Sequence, residues 1–435
     1  MFDLFGKKFS RRKLLTTTGL GVVAASAIGL DPELVAAQTR TSKGEELPPQ
    51  IKFSPDESPT TEVSSGGPPT ALPPAKRLGF AIVGLGRLSL EEIMPAFGMC
   101  KLAKPTALVS GDVKKANQVA QQYGINPKNI YNYQNYDNIR NNPDVDVIYI
   151  VLPNSMHLEY TVRGAKAGKH ILCEKPMAIS VAECQQMIDA CKKADRKLMI
   201  AYRCQYDPYH RAAIRMLRSK ELGKVKVIQA DNGQNQSNDI SQWRLKKALS
   251  GGGSLPDVGI YCLNATRYLT GEEPIEISAQ MFSTPGDPRF KEVEESVTFQ
   301  MRFSSGVLAL CSTSYGYHQS RRFRIFGSDA WTQLDPAFAY NGLRMTMSRL
   351  SPSNNMAENV TDIKMTEKSQ FALEIDHMAD CVIHNKQPHT PGEEGLQDQK
   401  LMATIYEAAR TGRTIKLPAV SGLDVTRGPA PVILR

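Results

Sequence analysis

From Leu78 to Tyr202 the sequence alternates short, almost continuously apolar runs with stretches of helical periodicity, and this alternation constrains the fold more than any other feature. Strands are expected at Gly79–Val83, Thr106–Ser110, Val145–Leu152, His170–Cys173 and Leu198–Tyr202, with helices at Lys114–Tyr123, His157–Ala167 and Val181–Lys193. Apolar strands alternating with helices imply a doubly wound parallel sheet covered on both faces. After about residue 222 the order changes. Lys226–Asp231, Ile275–Phe282, Glu295–Phe303, Val307–Ser314 and Arg321–Phe326 follow one another, several with period-two alternation. They imply a mostly antiparallel sheet, with helices Gly259–Leu269, Gln370–His384 and Leu396–Thr411 packed on it. The fold class is an α/β domain followed by an α+β domain.

The head of the chain differs in kind. Ser10-Arg11-Arg12-Lys13-Leu14-Leu15 precedes a weakly apolar, small-residue run from Thr16 to Leu30. That run falls short of the about 20 predominantly apolar residues a membrane span needs. It reads as a twin-arginine export signal cleaved after Ala37, the other reading being an anchoring helix. Twin-arginine export carries folded proteins, so the mature chain is expected in the periplasm without a membrane span, holding tightly any ligand acquired before export. Residues 1–37 contain five basic and three acidic residues, and their loss lowers the formal net charge from +9 to +7. The remaining basic residues are scattered without interleaved aromatics, which argues against a nucleic-acid partner. Residues 38–76, with Leu47-Pro48-Pro49, Gly66-Gly67-Pro68-Pro69 and Leu72-Pro73-Pro74, form a linker or an arm that orders only against another surface. Eight cysteines without a CxxC pair are expected as buried free thiols, and seven histidines without HxxxH spacing do not suggest a metal.

Chemistry concentrates at the ends of the expected strands. The first runs into Gly84-Leu85-Gly86-Arg87-Leu88-Ser89, where two glycines allow a tight turn and close approach to a pyrophosphate at a helix start. Ser89 stands where a third glycine is usual, and a plain strand-to-helix turn is the competing reading. The second strand tip carries Ser110 with Lys115 nearby, which favours a 2′-phosphate and hence NADP over NAD, whereas Asp112 would repel that phosphate unless it turns outward. The loop Leu152-Pro153-Asn154-Ser155-Met156-His157 lies where doubly wound folds bind ligands. Glu174-Lys175 ends another apolar strand, so Lys175 is either a residue that tunes a neighbouring acid or holds a hydroxyl, or a surface ion-pair lysine. Beyond the triglycine Gly251-Gly252-Gly253, Asp257 and Tyr261 are four apart on one helical face. With a lysine they form an acid–base set for an alcohol; a helix cap and a core tyrosine is the alternative. Trp243, before Arg244, either covers a nicotinamide or packs.

Gly84-Leu85-Gly86, Leu152-Pro153-Asn154, Cys173-Glu174-Lys175-Pro176-Met177, Tyr202-Arg203-Cys204, Gln242-Trp243-Arg244-Leu245, Asp257-Val258-Gly259-Ile260-Tyr261 and Pro391-Gly392-Glu393-Glu394-Gly395 occur in the order that resembles the family of glucose–fructose oxidoreductases and inositol dehydrogenases. The resemblance runs from the twin-arginine signal through Gly412. It implies a Rossmann domain, a nine-stranded or similar open sheet domain, NADP held through the catalytic cycle, and a homo-oligomer, tetramer or dimer, whose Pro-rich arm embraces a neighbouring subunit. It implies that Tyr261 is the acid–base group, that Lys175 positions the sugar and favours the phenolate, and that Asp257 holds sugar hydroxyls. Tyr340 and Arg203 are expected against the sugar. Gly84, Leu85, Gly86, Arg87, Ser110, Lys115, Leu152, Asn154, His157, Glu174, Lys175, Trp243 and Arg244 are expected around the cofactor. The loop from Asn232 to Ser241 departs from the pattern, which bears on the identity of the sugars.

The expected organisation is a signal (1–37), an arm (38–76), a dinucleotide-binding domain (77–204), a substrate and oligomerisation domain (205–420) and a tail (421–435). The implied activity is a hydride relay from an aldose to a second sugar. The competing readings are a sugar or polyol dehydrogenase with exchangeable NAD(P), and a nucleotide-bound sugar sensor without catalysis.

Overall fold

Strands apolar on both faces demand cover on both faces, and β1 (Leu78–Val83) meets that demand. Phe80 and Ile82 belong to one buried cluster, Ala81 and Val83 to another. The computed structural model describes residues 77–236, 239–351 and 354–431; the expected export signal, the expected arm and the end of the tail lie outside them. Around β1 run β2 (Ala103–Val109), β3 (Ile130–Tyr131), β4 (Val147–Ile150), β5 (His170–Glu174) and β6 (Leu198–Ala201), all parallel, in the order β3-β2-β1-β4-β5-β6. Helices α1 (Val113–Tyr123), α2 (His157–Lys166) and α3 (Val181–Lys193) connect them. The strand order reverses between β1 and β4, so a crevice opens at their carboxyl ends.

The second sheet holds β7 (Val227–Gly233), β8 (Pro274–Phe282), β9 (Ser296–Phe303), β10 (Leu308–Ser314), β11 (Ser320–Phe326), β12 (Ala330–Leu334), β13 (Met345–Ser351), β14 (Asn354–Ile363) and β15 (Ile415–Lys416). Their order is β14-β13-β12-β11-β7-β10-β9-β8-β15, antiparallel except for β7 beside β10. Strict burial alternation along β9 shows one face packed and one open. Five strands, β3 and β12 to β15, were not expected. β3 and β15 have two residues each, and β13 and β14 form a polar edge.

Helix α4 (Pro208–Arg218) is also additional. Its start is built by Asp207, whose carboxylate accepts from the Tyr209 and His210 amides, with Pro208 at the first helical position. All eleven residues of α5 (Ile260–Thr270) are buried, because it lies between β7 and β10 on one side and α4 and α7 (Gly392–Thr411) on the other. One expectation is corrected. Helix α6 (Gln370–Ile383) does not pack on the second sheet: Phe371, Ile375, Met378 and Ala379 join Phe80, Ile82 and Phe97 on the first. All eight cysteines are buried free thiols.

Candidate active site

The turn after β1 is shaped by what its glycines lack. Gly84 has φ +94°, and a Cβ there would stand 2.2 Å from the Val151 carbonyl oxygen of the neighbouring strand end. A Cβ on Gly86 would meet nothing within 4 Å, so its face is open to the crevice. Ser89, at the position of the missing third glycine, donates its hydroxyl to the Gly84 carbonyl at 2.6 Å and ties the turn to the following helical segment, Leu88–Ile93. At the β2 tip, Ser110 and Lys115 line the cavity with Arg87. Asp112 is turned away into the start of α1, where its carboxylate accepts from the Lys115 amide at 3.0 Å. That capping role removes the repulsion expected against a phosphate. A close-approach turn, a serine and two cations without an acid at the strand tip fit the adenosine 2′-phosphate and pyrophosphate of NADP.

The next wall comes from the loops after β4 and β5. Leu152 and Asn154 line the cavity, and the Asn154 amide donates to the Ser250 carbonyl at 2.8 Å, fastening the loop to the second domain. His157, expected near the cofactor, does not line the cavity. It is fully buried, its ring nitrogens 3.0 Å from the Pro176 oxygen and 2.9 Å from the Leu152 oxygen. Burial, opposed by these carbonyls, lowers its pKa, and the ring bridges the two loops.

Opposite them, the helical turn Leu255–Gly259 that leads into α5 presents Asp257, and the first turn of α5 presents Tyr261. Lys175 Nζ donates to the Asp257 backbone oxygen at 2.9 Å, stands 3.9 Å from Asp257 Oδ1, and lies 4.4 Å from the centre of the Tyr261 ring. Asp257 Oδ2 accepts from Tyr315 at 2.6 Å and stands 3.3 Å from Arg244 Nε. Tyr315 is fully buried; burial first and the Asp257 charge second raise its pKa far above the usual phenol range, so it stays a donor. The preceding triglycine is held by half-buried Glu294, which accepts from the Gly253 and Leu255 amides at 2.8 and 2.9 Å and from Tyr406 at 3.0 Å. Trp243 lines the cavity with the Arg244 guanidinium 4.6 Å from its ring.

Arg203 is held from behind the cavity. It borders the cavity, yet its guanidinium donates to the Phe338 oxygen at 2.8 Å, the Ala339 oxygen at 3.2 Å and the Gln370 side chain. From there it stacks 5.0 Å from the Tyr261 ring and 4.5 Å from the Tyr340 ring, bracing both phenols. Tyr340 lines the cavity as expected, backed by Phe371 at 5.1 Å. The structure thus brings Gly84, Leu85, Gly86, Arg87, Ser110, Lys115, Leu152, Asn154, Glu174, Lys175, Arg203, Trp243, Arg244, Asp257, Tyr261 and Tyr340 around one cavity of about 430 Å³. Tyr133 and Phe371 also line it, and neither these nor Tyr315 carried a motif.

A family model described as an oxidoreductase family with an NAD-binding Rossmann fold (GFO/IDH/MocA) matches residues 78–202, and the corresponding C-terminal domain model matches 210–333. The chain is similar to the D-xylose 1-dehydrogenase (NADP(+)) of Haloarcula marismortui, 30% identical over 344 residues, 78% of this chain and 92% of that one. It is similar to D-xylose 1-dehydrogenase (NADP(+)) 2 of Haloferax volcanii, 25% identical over 338 residues, 78% of this chain and 99% of that one. Among solved structures, the aldose–aldose oxidoreductase of Caulobacter crescentus complexed with glycerol is 43% identical with a TM-score of 0.75, covering 78% of this chain and 100% of that one.

Proposed function

Because the chain belongs to the GFO/IDH/MocA oxidoreductase family, we propose that it is a sugar oxidoreductase using NADP, which oxidises an aldose at C1 to its lactone and reduces a second sugar to an alditol. The observation that carries this reading is the convergence of Lys175, Asp257 and Tyr261 on one cavity with the nucleotide-type turn of β1. When bound, NADP supplies the hydride acceptor and donor.

Tyr261 takes the proton of the C1 hydroxyl in the first half-reaction and returns it to the carbonyl oxygen of the second sugar in the other. Help of this kind is worth roughly a hundred- to ten-thousand-fold in rate. Lys175 places a positive charge beside the phenol and beside the site of the reacting oxygen. Asp257, held at one oxygen by Tyr315 and Arg244, offers acceptors to neighbouring sugar hydroxyls. The twin-arginine signal supports a periplasmic chain whose NADP does not exchange, so that both half-reactions share one bound cofactor in a ping-pong relay. The arm at 38–76 would then embrace a neighbouring subunit.

Purification followed by exhaustive dialysis tests the relay. Nicotinamide absorbance and fluorescence are expected to remain with the protein, and sugar pairs are expected to yield lactone and alditol without added nucleotide. The likeness to D-xylose dehydrogenases favours a second reading, exchangeable NADP with a single sugar. Loss of the nucleotide on dialysis, with activity restored by added NADP, would select it.

A further inference from the structure

Behind the cavity wall three buried groups share protons in a way the reaction does not use. Tyr149 of β4 points between Glu174, which ends β5 and lines the cavity, and Glu374 of α6. Its hydroxyl stands 2.7 Å from Glu174 Oε1 and 3.3 Å from Glu374 Oε1. Tyr149 and Glu374 are fully buried, and Glu174 nearly so.

A phenol carries one proton. If it donates to Glu174 over the shorter distance, a charged Glu374 would set lone pair against lone pair on the same oxygen. Glu374 Oε2 has no hydrogen-bond partner among the described residues, which a neutral carbonyl tolerates far better than a carboxylate. The ionisable groups facing Glu374 are Tyr149 from β4, Glu174 from β5, and Arg203 and Tyr206 from the turn after β6. Burial, then the Glu174 charge, raise the pKa of Glu374 well above the usual carboxylate range; Arg203 and the Tyr149 hydrogen bond oppose this without reversing it. Burial likewise keeps Tyr149 protonated.

We propose that Glu374 is a buried neutral acid that donates to the Tyr149 oxygen while Tyr149 donates to Glu174, making it a positioning residue for the cavity carboxylate beside Lys175. The Lys175 amide donates to the other Glu174 oxygen at 3.2 Å, so the relay fixes both the carboxylate and the backbone that carries the lysine. Its consequence for NADP rests on the function proposed above; its proton assignment does not.

The test combines infrared spectroscopy with binding. Purified protein at pH 8 is expected to show the carbonyl stretch of a protonated carboxylic acid, and Glu374→Gln is expected to lose it. The amide reproduces the neutral donor, so Glu374→Gln should bind NADP within about threefold of the native chain. Glu374→Met, which cannot donate, should weaken binding about tenfold with the far-ultraviolet spectrum unchanged, the loss of one hydrogen bond in a charged network. Tyr149→Phe should match it. Absence of the acid band at pH 8, its persistence in Glu374→Gln, or Gln behaving like Met would overturn the proposal. A native chain that shows the band but binds no NADP keeps the proton assignment and loses the cofactor reading instead.

Discussion

Helix α5 serves two buried charge clusters that differ in what they leave open. At its start, Lys175 and Arg244 meet Asp257 beside Tyr261, and the Lys175 and Asp257 side chains keep 10% and 13% of their exposure. Two turns on, Arg267 is sealed among Glu273, Glu394 and Asp398, with Arg427 closing on Glu394 from the C-terminal segment. Asn264 donates to both Glu394 and Asp398, and Thr426 to Glu394. The sealed cluster offsets the cost of burying charge with mutual partners, and thereby locks α5 to α7 and to the chain end. The open cluster faces the cavity. One helix separates holding from reacting.

Arg267→Met should break the sealed side most severely. It leaves three buried carboxylates without their shared cation, which costs about 3–5 kcal/mol, out of the 5–15 kcal/mol that such folds possess. Denaturant unfolding measures it, and an unchanged midpoint would mean the cluster holds nothing. Nearly as large, but on the other axis, is Tyr261→Phe. Turnover should fall about a hundredfold or more while the thermal midpoint stays near the native value and NADP remains bound. Turnover close to native would move the acid–base role elsewhere.

On the holding side, acid acts through buried histidines. His210 on α4 bonds Tyr268 of α5 at 2.6 Å, and burial above all lowers its pKa to about 4. Burial lowers His377 and His389 to about 4 as well. In the unfolded chain these rings titrate near about 6.5. Between those values the unfolded state binds protons these rings refuse in the folded state, so their share of the stability should fall as pH drops from about 6.5 to about 4, opposed by Asp207 and Asp398, which burial raises to about 6, and by Glu374. Below that window Glu394 adds to the loss: burial opposes its ionisation, but Arg267 and Arg427 keep its pKa far below the usual range. Unfolding curves across pH of the native chain and of His210→Gln check the ring's share: the variant should lose less stability than the native chain on acidification through this window, and an equal loss would contradict it.

The two clusters were unequally legible in the sequence. Asp257 and Tyr261 are four residues apart beside a triglycine, so local spacing exposed the open cluster. Arg267 finds Glu394, Asp398 and Thr426 at separations of 127, 131 and 159 residues, and no local pattern announces them. Glu374 meets Tyr149 across 225 residues and was hidden for the same reason. Arg203, expected against the sugar from the resemblance alone, does line the cavity, but the carbonyls of Phe338 and Ala339 that hold it become neighbours only on folding. The parallel sheet was legible because apolar runs alternating with helices have few other solutions. The β13–β14 edge was not, since the outermost strand, exposed from Glu358 to Asp362, needs no regular apolar face.

Tyr315→Phe gives the smallest expected effect and the sharpest comparison. It removes one hydroxyl that donates to Asp257 Oδ2 and leaves the ring in its buried place, so the packing of the β10 end is kept. Arg244 still reaches the same oxygen, so the loss lies near the low end of a hydrogen bond to a charged group, about 1.5 kcal/mol. At the sealed end the loss of a donor to a buried carboxylate should appear as stability. Here, if Asp257 holds sugar hydroxyls, it should appear as an aldose KM raised about tenfold with kcat little changed, because the carboxylate is free to turn from the bound sugar. Steady-state kinetics and thermal unfolding of the same preparation separate the two. A fall in the thermal midpoint with KM unchanged would make Asp257 a holding residue like Glu394, and both clusters on α5 would then be of one kind.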